Sequence, residues 1–129
     1  MSNYLIKLVL VFMIIKTSEL KAQNTLQKIN VEELKQSFNN SQDKVRIITI
    51  PGVGCGACIA GQKFITDLFQ YGHPDNQNLS GFVVWTRVTG VGKYEQALDE
   101  SNKSKDNRIR QYWDEDMAIG QLFKKTLNF

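Results

Sequence analysis

The most constraining stretch of this chain is a strand-like run, a glycine-rich turn carrying both cysteines, and a helical stripe, in immediate succession. Val45-Arg46-Ile47-Ile48-Thr49-Ile50 is β-branched and nearly continuous in apolarity, the pattern of a strand covered on both faces. Pro51 follows and, lacking an N–H, is expected to stop the ladder. Gly52-Val53-Gly54-Cys55-Gly56-Ala57-Cys58 then forms a flexible turn. From Ile59 to Tyr71, Ala60, Phe64, Ile65, Leu68 and Phe69 recur at three- and four-residue spacing, which predicts a helix.

A Cys-x-x-Cys pair that opens a helix has a chemical rationale. The first sulfur meets unpaired N–H groups and the positive end of the helix dipole, which favour thiolate over thiol. Thiolate is the attacking species in disulfide exchange. The second sulfur, one turn on, can close a disulfide and expel a mixed-disulfide partner. Cys55 is therefore the expected exposed nucleophile and Cys58 the resolving, more buried thiol. Gly56 and Ala57 leave the sulfur approachable by a protein and add no charge.

The flanking segments predict an α/β domain. Asn30 and Glu33 form an Asx version of a capping box before a helix from Val31 to Phe38. Gly72–Ser80 is loop material, and Phe82–Val88 is a second strong strand. The helix between the two strands makes a right-handed parallel crossover the default pairing. Tyr94, Ala97 and Leu98 make a weak helical stripe, and 101–107 is expected to be a solvated loop. Arg108–Trp113 suits either a short third strand or a loop. Asp114 is a good N-cap for a last helix, with Glu115 and Asp116 at its positive end, Lys124 and Lys125 at its negative end, and Ile119, Leu122, Phe123 and Thr126 as its buried stripe.

At this point the chain resembles the thioredoxin-like superfamily, in the order helix, VRIITIP, CGAC, helix, GFVVWTRV. The likeness covers residues 31–88 well and 108–127 loosely. RIRQYWDEDMAIGQLF is also similar to a segment of a secreted branch of that superfamily, where a strand and YWD lead into a helix. The resemblance implies a thioredoxin-like three-layer αβα fold with a mostly parallel central sheet. It implies thiol–disulfide exchange with Cys55 and Cys58 as the redox pair, with protein thiols or disulfides as partners and no dissociable cofactor. Such proteins carry a cis-proline loop and a final β-hairpin. Here the only prolines, Pro51 and Pro74, come too early for that loop, and the chain stops about where the hairpin would begin. The expectation is a sheet with one open edge. A second copy or a partner chain would cover it.

Residues 1–22 have the three regions of a secretory signal: Lys7 near the start, an eight-residue apolar run from Leu8 to Ile15, and a polar stretch ending at Ala22. The run falls short of the ~20 residues that cross a bilayer. Cleavage after Ala22 is expected, leaving residues 23–129 as one domain in the periplasm or outside the cell, where disulfides persist. Beyond residue 22 there are 13 basic and 12 acidic residues, a balance that gives no electrostatic footprint for nucleic acid or an anionic membrane.

Other residue patterns point to weaker chemistry. A structural disulfide closing so short a loop removes little chain entropy. Two thiolates would suit a soft ion such as Cu(I) or Hg(II), in a binding or partner-docking module without turnover. His73, a whole helix away among turn residues, is read as surface. Gly52-Val53-Gly54-Cys55-Gly56-Ala57 also satisfies a dinucleotide-binding pattern, but the chain is too short for the doubled fold, and the glycines suffice to shape the cysteine turn. Trp85 and Trp113 are read as core, and Asp114–Asp116 as helix-start chemistry.

Overall fold

The computed structural model describes residues 25–88 and 90–127. The leader assigned to residues 1–22 lies outside them. The order is β1 (Gln27–Lys28), α1 (Val31–Asn39), β2 (Val45–Thr49), β3 (Gly52–Val53), α2 (Gly56–Asp67) running into a π-helical turn (Leu68–Gly72), β4 (Leu79–Arg87), α3 (Tyr94–Ser101), β5 (Ile109–Asp114) and α4 (Ala118–Leu127). The five strands form one sheet in the order β1-β5-β4-β2, with β3 also on β4, and every one of these pairings is parallel.

Alternation along the strands sorts the core into two layers. Val83 and Trp85 of β4 with Ile109 and Trp113 of β5 face one side, where Ile59 and Ile65 of α2 and Ala97 and Leu98 of α3 cover them. Phe82 and Val84 of β4 with Tyr112 of β5 face the other, under Leu34 and Phe38 of α1 and Ile119 and Phe123 of α4. Helices on both faces of a parallel sheet make the three-layer αβα architecture, consistent with a thioredoxin-like fold. Phe82 is completely buried, which contributes about 2–3 kcal/mol of transfer free energy. Trp85 sits opposite Trp113 across adjacent strands, and both are buried as core.

Local chemistry explains the helix ends. Asn30 Oδ1 accepts from the N–H groups of Glu32 (3.1 Å) and Glu33 (3.3 Å), so α1 starts where the capping pattern placed it. Asp114 is 1% exposed, and its two carboxylate oxygens accept from Ala118 N–H and Ile119 N–H, both at 2.9 Å. It caps α4 from the end of β5, across Met117, which takes a left-handed φ of 53°. The helix therefore starts only at Ala118, Glu115 and Asp116 lie outside its first turn, and of the expected stripe Leu122 and Thr126 are exposed.

Several expectations are corrected. Pro51 interrupts the strand but does not end the pairing: β2 stops at Thr49, Gly52 and Val53 resume on β4 in the same register, and Thr86 N–H donates to Pro51 O at 3.0 Å. The β2 residues are half-buried, with Val45 exposed, because β2 is an edge strand. The second strand starts at Leu79, three residues earlier than the turn-rich composition of its approach suggested. In α2 the covered stripe is Ile59, Gln62, Ile65 and Phe69, whereas Ala60 is exposed and Phe64 is 68% exposed. Arg108–Trp113 resolves as strand, running from Ile109 to Asp114 between β4 and β1.

The run 101–107 is also only partly a solvated loop. Arg108 and Asp106 side chains are 7% and 9% exposed. The guanidinium spends its donors on Asp106, on Phe69 O (2.6 Å), and on His73 O and Asn76 O (2.7 and 2.8 Å). It thereby satisfies carbonyls at and beyond the end of the cysteine-bearing helix. The same bond holds the Asp106 carboxyl below the usual carboxylate range.

Candidate functional site

The two cysteines stand at the C-terminal end of β3 and the first turn of α2, joined as a disulfide with their Cα atoms 5.2 Å apart. Cys55 is the N-cap of α2, in an extended conformation (φ −108°, ψ 106°). Its Sγ accepts from Cys58 N–H at 3.2 Å, while its carbonyl accepts from Ile59 N–H at 3.1 Å. A sulfur in that place takes the role that an Asn or Ser oxygen takes at other helix starts, and it answers one of the orphan donors of the first turn. Both cysteines are half-buried, so the expected contrast between an exposed Cys55 and a more buried Cys58 does not appear at the residue level.

Two glycines let the backbone close around the pair. A Cβ on Gly52 would fall 1.8 Å from Val88 Cγ2, so the bare Cα is what admits Val88, and Cys58 Sγ lies at ordinary contact distance, 3.9 Å, from the same point. Val88 and Val91 exchange backbone hydrogen bonds of 3.0 and 2.8 Å in a tight turn. Gly92 then lies against Val53 at a φ of 114°, where a Cβ would meet Val53 O at 2.8 Å. The turn after β4 is thus packed directly onto the strand that leads to the cysteines.

Beside Cys58 opens a groove of about 260 Å³ between α2 and the edge strand, lined by Thr49, Ile50, Pro51, Cys58, Gln62 and Ile65. Its floor holds a polar line that sequence reasoning missed. Thr49 Oγ1 donates to Gln62 Oε1 at 2.6 Å, and Gln62 Nε2 lies 3.5 Å from Thr66 Oγ1. Gln62 is 6% exposed, four residues beyond Cys58. Its place midway between Ile59 and Ile65 on the helical repeat was the available signal.

The remaining candidates resolve simply. His73 is exposed, and its carbonyl, not its imidazole, engages Arg108. Glu115 pairs with Arg87 at 2.9 Å and with Lys28 at 3.5 Å, and Asp116 pairs with Lys28 at 3.5 Å. Among the described residues no group of three or more His, Cys, Asp and Glu side chains could hold a metal ion. No helix among them is long and apolar enough to cross a membrane.

No family model matches this chain, and neither a curated protein nor a solved structure matches it. The α/β architecture and the close Cys55–Cys58 pair are compatible with redox or thiol chemistry on a thioredoxin-like scaffold.

Proposed function

We propose that the chain is an exported thiol–disulfide oxidoreductase that exchanges disulfides with protein substrates through Cys55 and Cys58. The observation that carries this reading is the sulfur of Cys55 at the N-cap of α2, hydrogen-bonded by Cys58 N–H. After reduction the same donor and the helix dipole favour a Cys55 thiolate. That thiolate attacks a substrate disulfide, one substrate sulfur leaves as thiolate, and a mixed disulfide forms. Cys58, deprotonated, then attacks Cys55 Sγ and releases the second substrate thiolate. Two electrons pass to the substrate and the Cys55–Cys58 bond is restored, and in reverse the same steps oxidise a substrate dithiol.

Export fits the apolar leader of residues 1–22 and a bonded cysteine pair, which an oxidising compartment preserves. The deciding experiment is the pH dependence of alkylation of reduced Cys55, with Cys58→Ser as background. An apparent pKa clearly below the ordinary thiol value of about 8.5 is expected. A value at or above it overturns the activated-nucleophile reading.

A further inference from the structure

The outer edge of β2 runs into the groove at Cys58, and its hydrogen-bonding direction can be read from single bonds. Val45 N–H donates to Asn78 O at 2.8 Å, and Pro51 O accepts from Thr86 N–H at 3.0 Å. Both residues therefore turn their main-chain groups toward β4. In an extended strand the direction alternates, so Ile47 and Thr49 also face β4, while Arg46, Ile48, Ile50 and Gly52 point their N–H and C=O groups outward. Among the described residues none of these outward groups of Arg46, Ile48 or Ile50 has a backbone partner.

Proline on an edge strand usually blunts the edge by removing an outward donor. Pro51 does not, because the N–H it lacks would have pointed to β4. The free edge is thus unbroken from Arg46 to the residues that precede the cysteines. It is also without charge beside the sulfur: Thr49 to Gln62 contains no Asp, Glu, Lys or Arg. Arg46, the charged residue of β2, is drawn to the α1 face, where it donates to Phe38 O at 3.1 Å and lies over the Phe38 ring. Ile50 is 37% exposed at the mouth of the groove, and Phe64 stands exposed on the cysteine-bearing helix.

We propose that this edge is the substrate-binding surface, and that its occupant is an extended, uncharged, cysteine-bearing segment of the substrate protein, added to β2 as a strand. The inference rests on the redox reading above and gives it a substrate class. Exchange at Cys55 requires a partner sulfur in line with the Cys58–Cys55 bond on the far side of Cys55, so the partner chain has to cross the cysteine turn, which the unpaired main-chain groups of β2 lead into. Those groups supply affinity without reading sequence, as in other cases of strand addition. The uncharged surface and the exposed Ile50 select apolar neighbours for the substrate cysteine.

The test traps the complex. In the full chain carrying Cys58→Ser, reduced Cys55 attacks an uncharged peptide whose single cysteine is activated as a pyridyl disulfide, expelling pyridinethiolate and leaving a peptide–Cys55 mixed disulfide. A peptide of about eight residues covers the edge at ~3.3 Å per residue. Amide hydrogen exchange of free and trapped protein is then compared. Exchange at Arg46, Ile48 and Ile50 should slow at least about tenfold on trapping, because those amides gain partners, while Val45, Ile47 and Thr49 change little. Ile50→Pro, which removes an outward donor together with the Ile50 side chain, should slow trapping of the peptide about tenfold relative to the same variant's reaction with a small pyridyl disulfide, and Ile50→Ala, which keeps the donor, should slow it less. A mixed disulfide that forms with unchanged exchange at the three amides overturns edge docking and leaves the redox reading standing. So does strong protection of those amides in the free protein: concentration-dependent protection assigns the edge to a second copy, and concentration-independent protection assigns it to another part of this chain. Failure of Cys55 to form any mixed disulfide sinks the redox reading itself.

Discussion

Replacing Arg108 by methionine keeps the stem and removes every guanidinium donor. The Asp106 carboxylate, 9% exposed, is left without its cation, and Phe69 O loses a 2.6 Å donor at the end of the cysteine-bearing helix. Removing one partner of a buried pair costs about 3–5 kcal/mol. His73 O and Asn76 O can turn to water, and Asp106 Oδ1 keeps its bond from Arg108 N–H, so the lower end, about 3 kcal/mol, is the working value. For a domain of this size that lowers Tm by roughly 12 °C or more. Urea unfolding followed by far-UV circular dichroism measures it. The acid limb adds a signature with a definite sign. Arg108 depresses the folded Asp106 pKa, so its stabilisation is complete above the unfolded carboxylate value, about 3.9, and is lost as pH falls through the depressed one. The gap between wild type and variant should therefore narrow below about pH 4. A variant within about 1 kcal/mol of wild type at pH 7, or a gap that widens in acid, refutes the assignment of Arg108 as the buried clamp.

Two further outcomes follow from the backbone around the site. Gly92→Ala forces a side chain into a left-handed conformation and against Val53 O, so a loss of about 2 kcal/mol or more is expected in the same unfolding measurement, with altered Cys55 alkylation because Val53 leads to the cysteine turn. Asp114→Ala leaves Ala118 N–H and Ile119 N–H unanswered in a buried place, and should cost about 1–2 kcal/mol, with Asp114→Asn retaining part of it.

The parts of this fold that were legible in sequence are those set by local chemistry. The Asn30 cap, the capping role of Asp114 though not the place where its helix starts, the βαβ unit through the cysteine turn, the α3 stripe at Tyr94, Ala97 and Leu98, and the burial of Trp85 and Trp113 all follow from side-chain spacing and capping. What escaped depends on position in the sheet. Six residues from Val45, four of them apolar, read as a buried strand, and nothing local distinguishes a strand covered by helices on both faces from one that is also an edge. Pro51 misled because its effect depends on which neighbour its missing donor faces, which is decided by register. Phe64 matched the apolar spacing of α2, but the covered face runs through Ile59, Gln62, Ile65 and Phe69, with a buried glutamine where the template wanted an apolar residue, so Phe64 is left outside it. At the site, the cysteine pair and its helix start were legible, whereas the Thr49–Gln62 line and the Arg108–Asp106 pair were not, since buried polar residues and surface polar residues carry the same letters.

The pairing of Trp85 with Trp113 has a practical consequence. The chain has two tryptophans, and both lie in the layer beneath α2 and α3, while the opposite layer is built from Phe82, Val84, Tyr112 and Ile119. Indole emission of this protein therefore monitors one half of its interior. A lesion that loosens only α1 or α4 would leave the spectrum almost untouched while ellipticity falls, so divergence of the two signals would locate the damage without any label.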